Sequence, residues 1–282
     1  MRFRRGFRRV RHLSIFRIWS YIYRKLQWVK IPEKHVKIDD EENLSNESCA
    51  SKLRIFLTIM IRFLFLIFKY FQGKYPEVIF HLPLPSSQRF VALTLDDAPS
   101  PETPRILDLL NIYKAKVTFF VIGKQISDYP EILERIYNEG HEIGIHGWAD
   151  EPSYKLPLVE LERQIKNIET MLPRDPNRVK WFRPGSGWFT KSMIEMLRSI
   201  NYKLALGSVY PHDPQIRNPR INAAHVLSMV TPGAVIIMHD RRAYSYRQLE
   251  LVLQGLAADG WGVLTLGNLQ KLKMNHAEEN FT

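Results

Sequence analysis

A single cysteine, Cys49, is present among the 282 residues of this chain, so an internal disulfide is excluded. The fold must therefore rest on apolar packing, and the chain is long enough for one enzyme-sized domain with a core of its own. No internal sequence repeat is visible. The cysteine count leaves the redox compartment open.

Acidic residues are absent before Glu33, whereas residues 1–30 contain eight arginines and two lysines. This stretch contributes +10 to the formal net charge of +11, which leaves 30 basic and 29 acidic residues in the rest of the chain. A basic excess confined to one tail is typical of a membrane surface, a topology signal or a targeting peptide, and it argues against a domain that reads DNA. We therefore expect no nucleic-acid partner.

The first 88 residues fall into segments of different composition. Residues 1–52 hold the basic tail, which suits an interfacial helix or a transit peptide, and then a polar, acidic spacer. Residues 53–71 read LRIFLTIMIRFLFLIFKYF and are apolar apart from Thr58 and three basic residues. Arg62 near the centre costs about 2.5–3.5 kcal/mol on insertion, yet we predict a membrane anchor here, ahead of an interfacial helix or a buried soluble one. Residues 72–88 are predicted to be a linker.

Strand-like and helical patterns alternate through residues 89–272, and a short tail follows at 273–282. The clearest amphipathic helix is predicted at residues 158–172. Such alternation predicts parallel strands joined by crossover helices, and seven units favour an incomplete or distorted (β/α)7 barrel over an open sheet. The apolar runs predicted as strands are residues 90–95, 117–122, 141–146, 181–183, 204–209, 234–238 and 262–266.

Two adjacent aspartates, Asp96 and Asp97, follow the first of these runs and precede Ala-Pro-Ser-Pro. A single aspartate there would be an ordinary cap for the next helix. One cap is enough, however, and a second adjacent carboxylate adds repulsion, so for the pair a site is as plausible as a cap. In α/β folds, catalytic groups gather at the carboxyl ends of the strands.

Other chemically active residues also follow predicted strands. A histidine at a strand end is more often a satisfied polar group than a ligand, but Asp150 follows His146 by four residues, which brings both to one face of a helix-like turn. Together with Asp97 they supply one imidazole and two carboxylates, an adequate donor set for a divalent cation. Arg183 precedes Pro-Gly-Ser-Gly, whose glycines allow close approach of backbone to a ligand. His239 ends the strongly apolar AVIIM run.

The remaining histidines give weaker indications of a functional site. His212 and Asp213 lie in VYPHDPQ, where we favour an ordinary turn for His212. We expect His81, His141 and His225 to be structural.

The segments TLDDAPSPETP, VTFFVIG, GHEIGIHGWAD, FRPGSG and IIMHD resemble, in order and spacing, the motifs of the NodB-homology polysaccharide deacetylases, carbohydrate esterase family 4. The resemblance extends over about residues 90–269. It implies a distorted (β/α) barrel that removes acetyl groups from N-acetylglucosamine units of chitin, peptidoglycan or related glycans. It also implies a bound divalent metal, usually zinc, with manganese or cobalt as alternatives.

Residue by residue, the resemblance implies a role for each cluster. Asp96 would be the general base, and Arg183 would tether it and hold it ionised. Asp97 and His146 would be metal ligands. Asp150 occupies the position of the third ligand, which in the family is usually a histidine.

The same resemblance makes His239 the general acid and places Asp213 where the family has the aspartate that orients it. The family's usual tryptophan after that aspartate is replaced by Pro214. The backbone N–H of Ser186, where the family usually has an aromatic residue, would help bind the oxyanion. Two residues of the apolar run at 234–238 would form walls of the acetyl-methyl pocket, Ile236 and Met238.

Three functions are compatible with these residues. The first is metal-dependent removal of N-acetyl groups from an amino-sugar glycan. The second is hydrolysis of a small amide or cyclic imide, and the third is a membrane-tethered glycan binder without catalysis. The presence of both a base, Asp96, and an acid, His239, argues against a binder. Asp150 is the feature that keeps the other two functions under consideration.

The basic tail and residues 53–71 predict that the barrel lies on the extracytoplasmic side of a membrane. Two glycosylation sequons test this in a eukaryotic host: Asn46 precedes the apolar segment, and Asn280 follows the barrel. We expect modification at Asn280 alone, detected as a glycosidase-sensitive mass shift. Modification at Asn46, or release of the full-length protein by carbonate, would contradict the prediction.

Overall fold

The computed structural model describes Tyr70 and residues 72–279. In this part of the chain seven strands form one sheet in which every pairing between strands is parallel. The order is β5-β4-β3-β2-β1-β6, and β7 also pairs with β1. The strands are β1 Phe90–Ala98, β2 Thr118–Ile122, β3 Glu142–Gly147, β4 Trp181–Phe182, β5 Lys203–Leu204, β6 Val235–His239 and β7 Gly262–Leu264.

Between residues 90 and 279, eight α-helices connect and cover the strands. Local chemistry marks several of their starts, because α1, α3 and α6 carry proline in the first turn, where its fixed φ and missing N–H are tolerated. Thr190 caps α5 by accepting from the Met193 N–H. The helices are α1 Thr103–Ile112, α2 Gly123–Asp128, α3 Pro130–Asn138, α4 Leu158–Met171, α5 Lys191–Ser199, α6 Pro219–Met229, α7 Ser245–Ala258 and α8 Leu266–Glu279.

Irregular chain joins the two edges of the sheet. Beyond β5, Ala205 forms a parallel bridge with Ile79, and Val209 forms another with Ile236 of β6. The amide of Ile237 donates to the Val209 carbonyl at 2.9 Å, which carries the hydrogen bonding across the gap. The predicted distorted (β/α)7 barrel is confirmed.

The predicted linker, residues 72–88, contributes to the barrel wall. Val78, Phe80 and Leu82 are all less than 9% exposed, and His81 bridges Ala234 just before β6. These residues therefore belong to the folded domain. At the other end, α8 continues past the predicted boundary at residue 272.

Side chains of the strands alternate between two apolar cores, as the pleat of a strand requires. The larger core lies between the sheet and the helices and includes Ile236 and Met238, both completely buried. The smaller core fills the barrel and includes Val235. Since Val235 points inward, Ile237 and His239 lie on that same face of β6. The assignment of Ile236 and Met238 to the acetyl pocket is therefore wrong, and Ile237 is the residue on the site face.

Most predicted elements are present, with small shifts at their ends. The predicted helix at 158–172 is α4, whereas the predicted strand at 204–209 is regular only in β5. Helices α2 and α8 were not predicted. The basic tail, the spacer and all of the predicted anchor except Tyr70 lie outside the described residues. Within the described residues, no helix combines the length and hydropathy that a membrane span requires.

Gly144 in β3 is required by close packing inside the barrel. A Cβ atom there would lie 2.7 Å from Phe120 Cε1 and 3.0 Å from Trp181 Cβ. We expect Gly144→Ala to lower the free energy of unfolding by about 1–3 kcal/mol, as overpacked cores do, measured by urea denaturation. As a control, Gly73→Ala adds a methyl group with no described neighbour within 4 Å and should change stability by less than about 0.5 kcal/mol. Equal stabilities of the two variants would refute the packing constraint.

Candidate active site

The carboxyl ends of the strands bring the predicted catalytic residues to one rim of the barrel. The register of β1 against β6 places Asp96 opposite His239. The amide of Asp240 donates to the Asp96 carbonyl at 2.9 Å, which fixes the ends of these two strands to each other. The parallel sheet thus unites residues separated by more than a hundred positions in the sequence.

Asp96 is held by the buried guanidinium of Arg183. Nη1 of Arg183 lies 2.5 Å from Asp96 Oδ1 and donates also to Thr94 Oγ1 at 2.7 Å. The guanidinium carbon lies 3.9 Å from the ring centroid of Phe120, and Arg183 is only 2% exposed. Its other N–H groups donate, at 3.2 and 2.9 Å, to the carbonyls of Ala205 and Leu206. The carboxylate of Asp96 is therefore fixed in position and compensated in charge, as a general base requires.

Asp97 and His146 form the second cluster. The carbonyl of Arg183 lies 2.8 Å from His146 Nδ1, so Nδ1–H is the donor and Nε2 carries the free lone pair. Nε2 lies 3.8 Å from Asp97 Oδ1, which is buried and makes no hydrogen bond to the described residues. Asp97 has a positive φ of 69°, which accompanies the turn of the chain at the end of β1.

Asp150 lies against Arg241 instead of joining this cluster. Its Oδ2 forms an ion pair with Arg241 Nη2, and Arg241 Nε lies 3.4 Å from Asp97 Oδ2. One guanidinium therefore contacts two of the three predicted metal ligands. No group of three metal-ligating side chains lies close enough to hold an ion in the part of the chain that the structure describes.

The donor chemistry at Asp97 and His146 fits a divalent metal. A buried carboxylate oxygen without a hydrogen bond faces an imidazole nitrogen whose tautomer is set by a backbone carbonyl, the usual arrangement around a metal-bound histidine. The part of Asp150 as the third ligand stays a prediction, because its carboxylate is paired with Arg241.

His239 is oriented by Asp213. Nδ1 of His239 lies 2.8 Å from Asp213 Oδ1, which leaves Nε2 for proton transfer. Burial by itself lowers the pKa of His239, but the charge and hydrogen bond of Asp213, with smaller contributions from Asp96 and Asp97, outweigh burial and raise the pKa. Tyr244 Oη donates to the Asp213 carbonyl and so steadies the residue that orients the imidazole.

Ser186 lies in the 3-10 turn Gly185–Gly187 that follows Arg183, with φ of 65° and an exposed side chain. The Gly185 N–H donates to Ser153 Oγ at 2.8 Å, which anchors the start of this turn. The role of the Ser186 N–H in binding an oxyanion stays a prediction.

Asp240 has a structural role that the sequence did not reveal. It is fully buried and accepts hydrogen bonds from Ser100 Oγ at 2.8 Å and Thr103 Oγ1 at 2.5 Å. Burial raises its pKa to about 7, against the two hydroxyl donors, which lower it. These bonds tie the loop after Asp97 to the end of β6 and thereby position the two aspartates of β1.

The histidines outside the candidate site lie in surroundings that suit structural roles. His212 lies in a turn with φ of 60°, 5.1 Å from the ring of His225, and burial lowers its pKa to about 4. His141 Nδ1 accepts from the Val117 amide at 3.2 Å. Sequence reasoning missed Thr94 and Arg241, although Arg241 lies three residues after a predicted strand end and Thr94 shares the inward face of Asp96.

Known proteins are similar to this chain in sequence and in fold. A family model described as polysaccharide deacetylase matches residues 84–205. The peptidoglycan-N-acetylmuramic acid deacetylase PdaC of Bacillus subtilis is 31% identical over 189 residues, which are 66% of this chain and 40% of PdaC. A peptidoglycan-N-acetylglucosamine deacetylase of Bacillus cereus is 28% identical over 196 residues, 67% of this chain and 92% of that protein. A solved structure of PdaC from Bacillus subtilis, 30% identical, superposes with a TM-score of 0.63 and covers 70% of this chain and 98% of that one.

Replacing the Asp213 carboxylate should lower the pKa of His239. In Asp213→Asn the largest contribution that raises the pKa is lost, whereas burial, which lowers it, remains, so we expect the pKa of His239 to fall. An NMR titration of the imidazole measures this directly. Asp259→Asn, at an exposed position after α7, is the control and should leave the titration unchanged. An unaltered pKa in Asp213→Asn would show that Asp213 does not govern the pKa of His239.

Proposed function

Because the chain belongs to the polysaccharide deacetylase family, with NodB homology and carbohydrate esterase family 4 motifs, we propose that it hydrolyses N-acetyl groups of an amino-sugar glycan and releases acetate. The observation that carries the proposal is the convergence at one rim of a paired aspartate, Asp96, and an oriented imidazole, His239. Between strands β1 and β3, Asp97 and His146 add a site that suits a divalent metal.

A divalent metal held by Asp97 and His146 would supply Lewis-acid activation of water and of the acetyl carbonyl. Asp96, with one oxygen held by Arg183, accepts a proton from the attacking water. His239 donates a proton from Nε2 to the amine nitrogen as the carbon–nitrogen bond breaks. The charge and hydrogen bond of Asp213 raise the pKa of His239 and so favour the protonated imidazolium from which this transfer starts.

The substrate is proposed to be a chitin-like or peptidoglycan-like glycan, since two relatives are named as peptidoglycan deacetylases. Zinc is the proposed metal, because a site of imidazole and carboxylate is a normal zinc site. We also propose that the barrel works on the extracytoplasmic side of a membrane, where such glycans are found. A non-catalytic glycan binder is disfavoured by the paired base and acid, for which binding has no use.

Asp96→Asn tests the base directly. A neutral amide cannot accept the proton of the attacking water, so we expect acetate release from an N-acetylated chito-oligosaccharide to fall about 10²–10⁴-fold while metal binding persists. Acetate is measured enzymatically and metal by elemental analysis of the same preparation. Activity within about tenfold of the parent would remove Asp96 from the role of base. No acetate release by the metal-loaded parent on any N-acetylated glycan would overturn the proposed function itself.

A further inference from the structure

The guanidinium of Arg241 contacts two carboxylates of the predicted metal site, those of Asp97 and Asp150. Its Nε lies 3.4 Å from Asp97 Oδ2, and its Nη2 is ion-paired with Asp150 Oδ2. The side chain of Asp97 is 3% exposed, whereas those of Arg241 and Asp150 are 37% and 50% exposed. The guanidinium therefore reaches from the open side of the site down to a buried carboxylate.

The contacts of Arg241 conflict with a full set of metal ligands. A divalent cation bound by Asp97, Asp150 and neutral His146 would already be balanced in charge by the two carboxylates. A guanidinium left on the same oxygens would add a like charge at short range beside a buried carboxylate, where water screens little. Arginine stays protonated in proteins, so this repulsion cannot be relieved by loss of a proton.

We propose that Arg241 is an internal competitor of the divalent metal: its guanidinium must leave Asp150 and Asp97 before an ion can bind with all three ligands. The inference rests on the proposed metal-dependent function and adds that Arg241 lowers the affinity of the site for the metal. The exposure of Arg241 and Asp150 provides an outward path for the displaced side chain, while Asp97 Oδ1 and His146 Nε2 already face each other without it. Arg241 is a positioning residue in this scheme, because it acts through the carboxylates and not on the substrate.

The consequence is a measurable penalty on metal affinity. Removing the positive charge in Arg241→Gln should tighten binding of Zn²⁺ and Mn²⁺ at least about tenfold, since the carboxylates no longer exchange one cation for another. Arg241→Lys keeps the charge but loses the planar fork that spans both carboxylates, so its affinity should lie between those of the parent and Arg241→Gln.

Isothermal titration calorimetry tests the proposal. The full chain in detergent is stripped of metal with a chelator, and separate samples are titrated with Zn²⁺ or with Mn²⁺. The matched control is Arg247→Gln, which also removes one arginine but from an ion pair with Glu250 on the exposed face of α7. It should bind each metal within about twofold of the parent, as is usual for distant surface charges. Equal or weaker binding by Arg241→Gln, or no binding by it at all, would overturn the proposal.

A second measurement needs no substitution and so does not depend on the folding of a variant. Phenylglyoxal labels accessible arginines, and peptide mass spectrometry reports the labelled positions. Saturation of the parent with Mn²⁺ should increase labelling of Arg241 and leave that of Arg247 unchanged. Labelling of Arg241 that is unchanged or reduced by the metal would contradict its displacement.

The outcomes also separate this inference from the proposed function. If Arg241→Gln binds metal more tightly than the parent but no variant releases acetate, the competition stands and the deacetylase function fails. If the metal-loaded parent releases acetate while its metal affinity is independent of Arg241, the function stands and the competition fails.

Discussion

The buried guanidinium of Arg183 is the constraint on which the rest of the site depends. A charge at this depth is costly unless it is paired and fully hydrogen-bonded, and Arg183 meets that requirement by joining several strands at once. It donates to Asp96 and Thr94 of β1 and to carbonyls beyond β5. Its own carbonyl accepts from His146 of β3. The same residue thus holds Asp96, the predicted base, and fixes the tautomer of His146, a predicted metal ligand.

Differences between the partners of the acidic residues account for their different roles. Asp96 faces a buried arginine, and Asp213 faces His239, whose pKa it raises. Asp240 meets only hydroxyl donors in a buried setting, which raises its own pKa and suits it to hold a loop. Asp97 shares Arg241 with Asp150 while its other oxygen remains without a hydrogen bond to the described residues. Chemically similar carboxylates acquire separate functions because their surroundings differ.

Sequence patterns failed where the outcome depended on which face of an element points inward. Ile236 and Met238 were predicted to line the acetyl pocket, but they alternate with Val235, Ile237 and His239 and so point to the helices. A strand buried on both faces is apolar throughout, so composition does not reveal which residues point inward. Residues 78–82 were predicted to be part of a linker for a related reason. They pair with residues far away in the sequence, and these isolated bridges leave no repeating apolar pattern in the segment itself.

The sequence by itself determined the alternation of strands and helices and the positions of the polar residues at strand ends. Parallel strands bring their carboxyl ends to one rim, and this geometry alone was enough to group Asp96, His146 and His239. Only the tertiary structure decided the partner of each carboxylate. Asp150 and Arg241 are 91 residues apart, and their pairing arises because β3 and β6 end on the same rim of the barrel. No local pattern encodes that contact, since it depends on the curvature of the whole sheet.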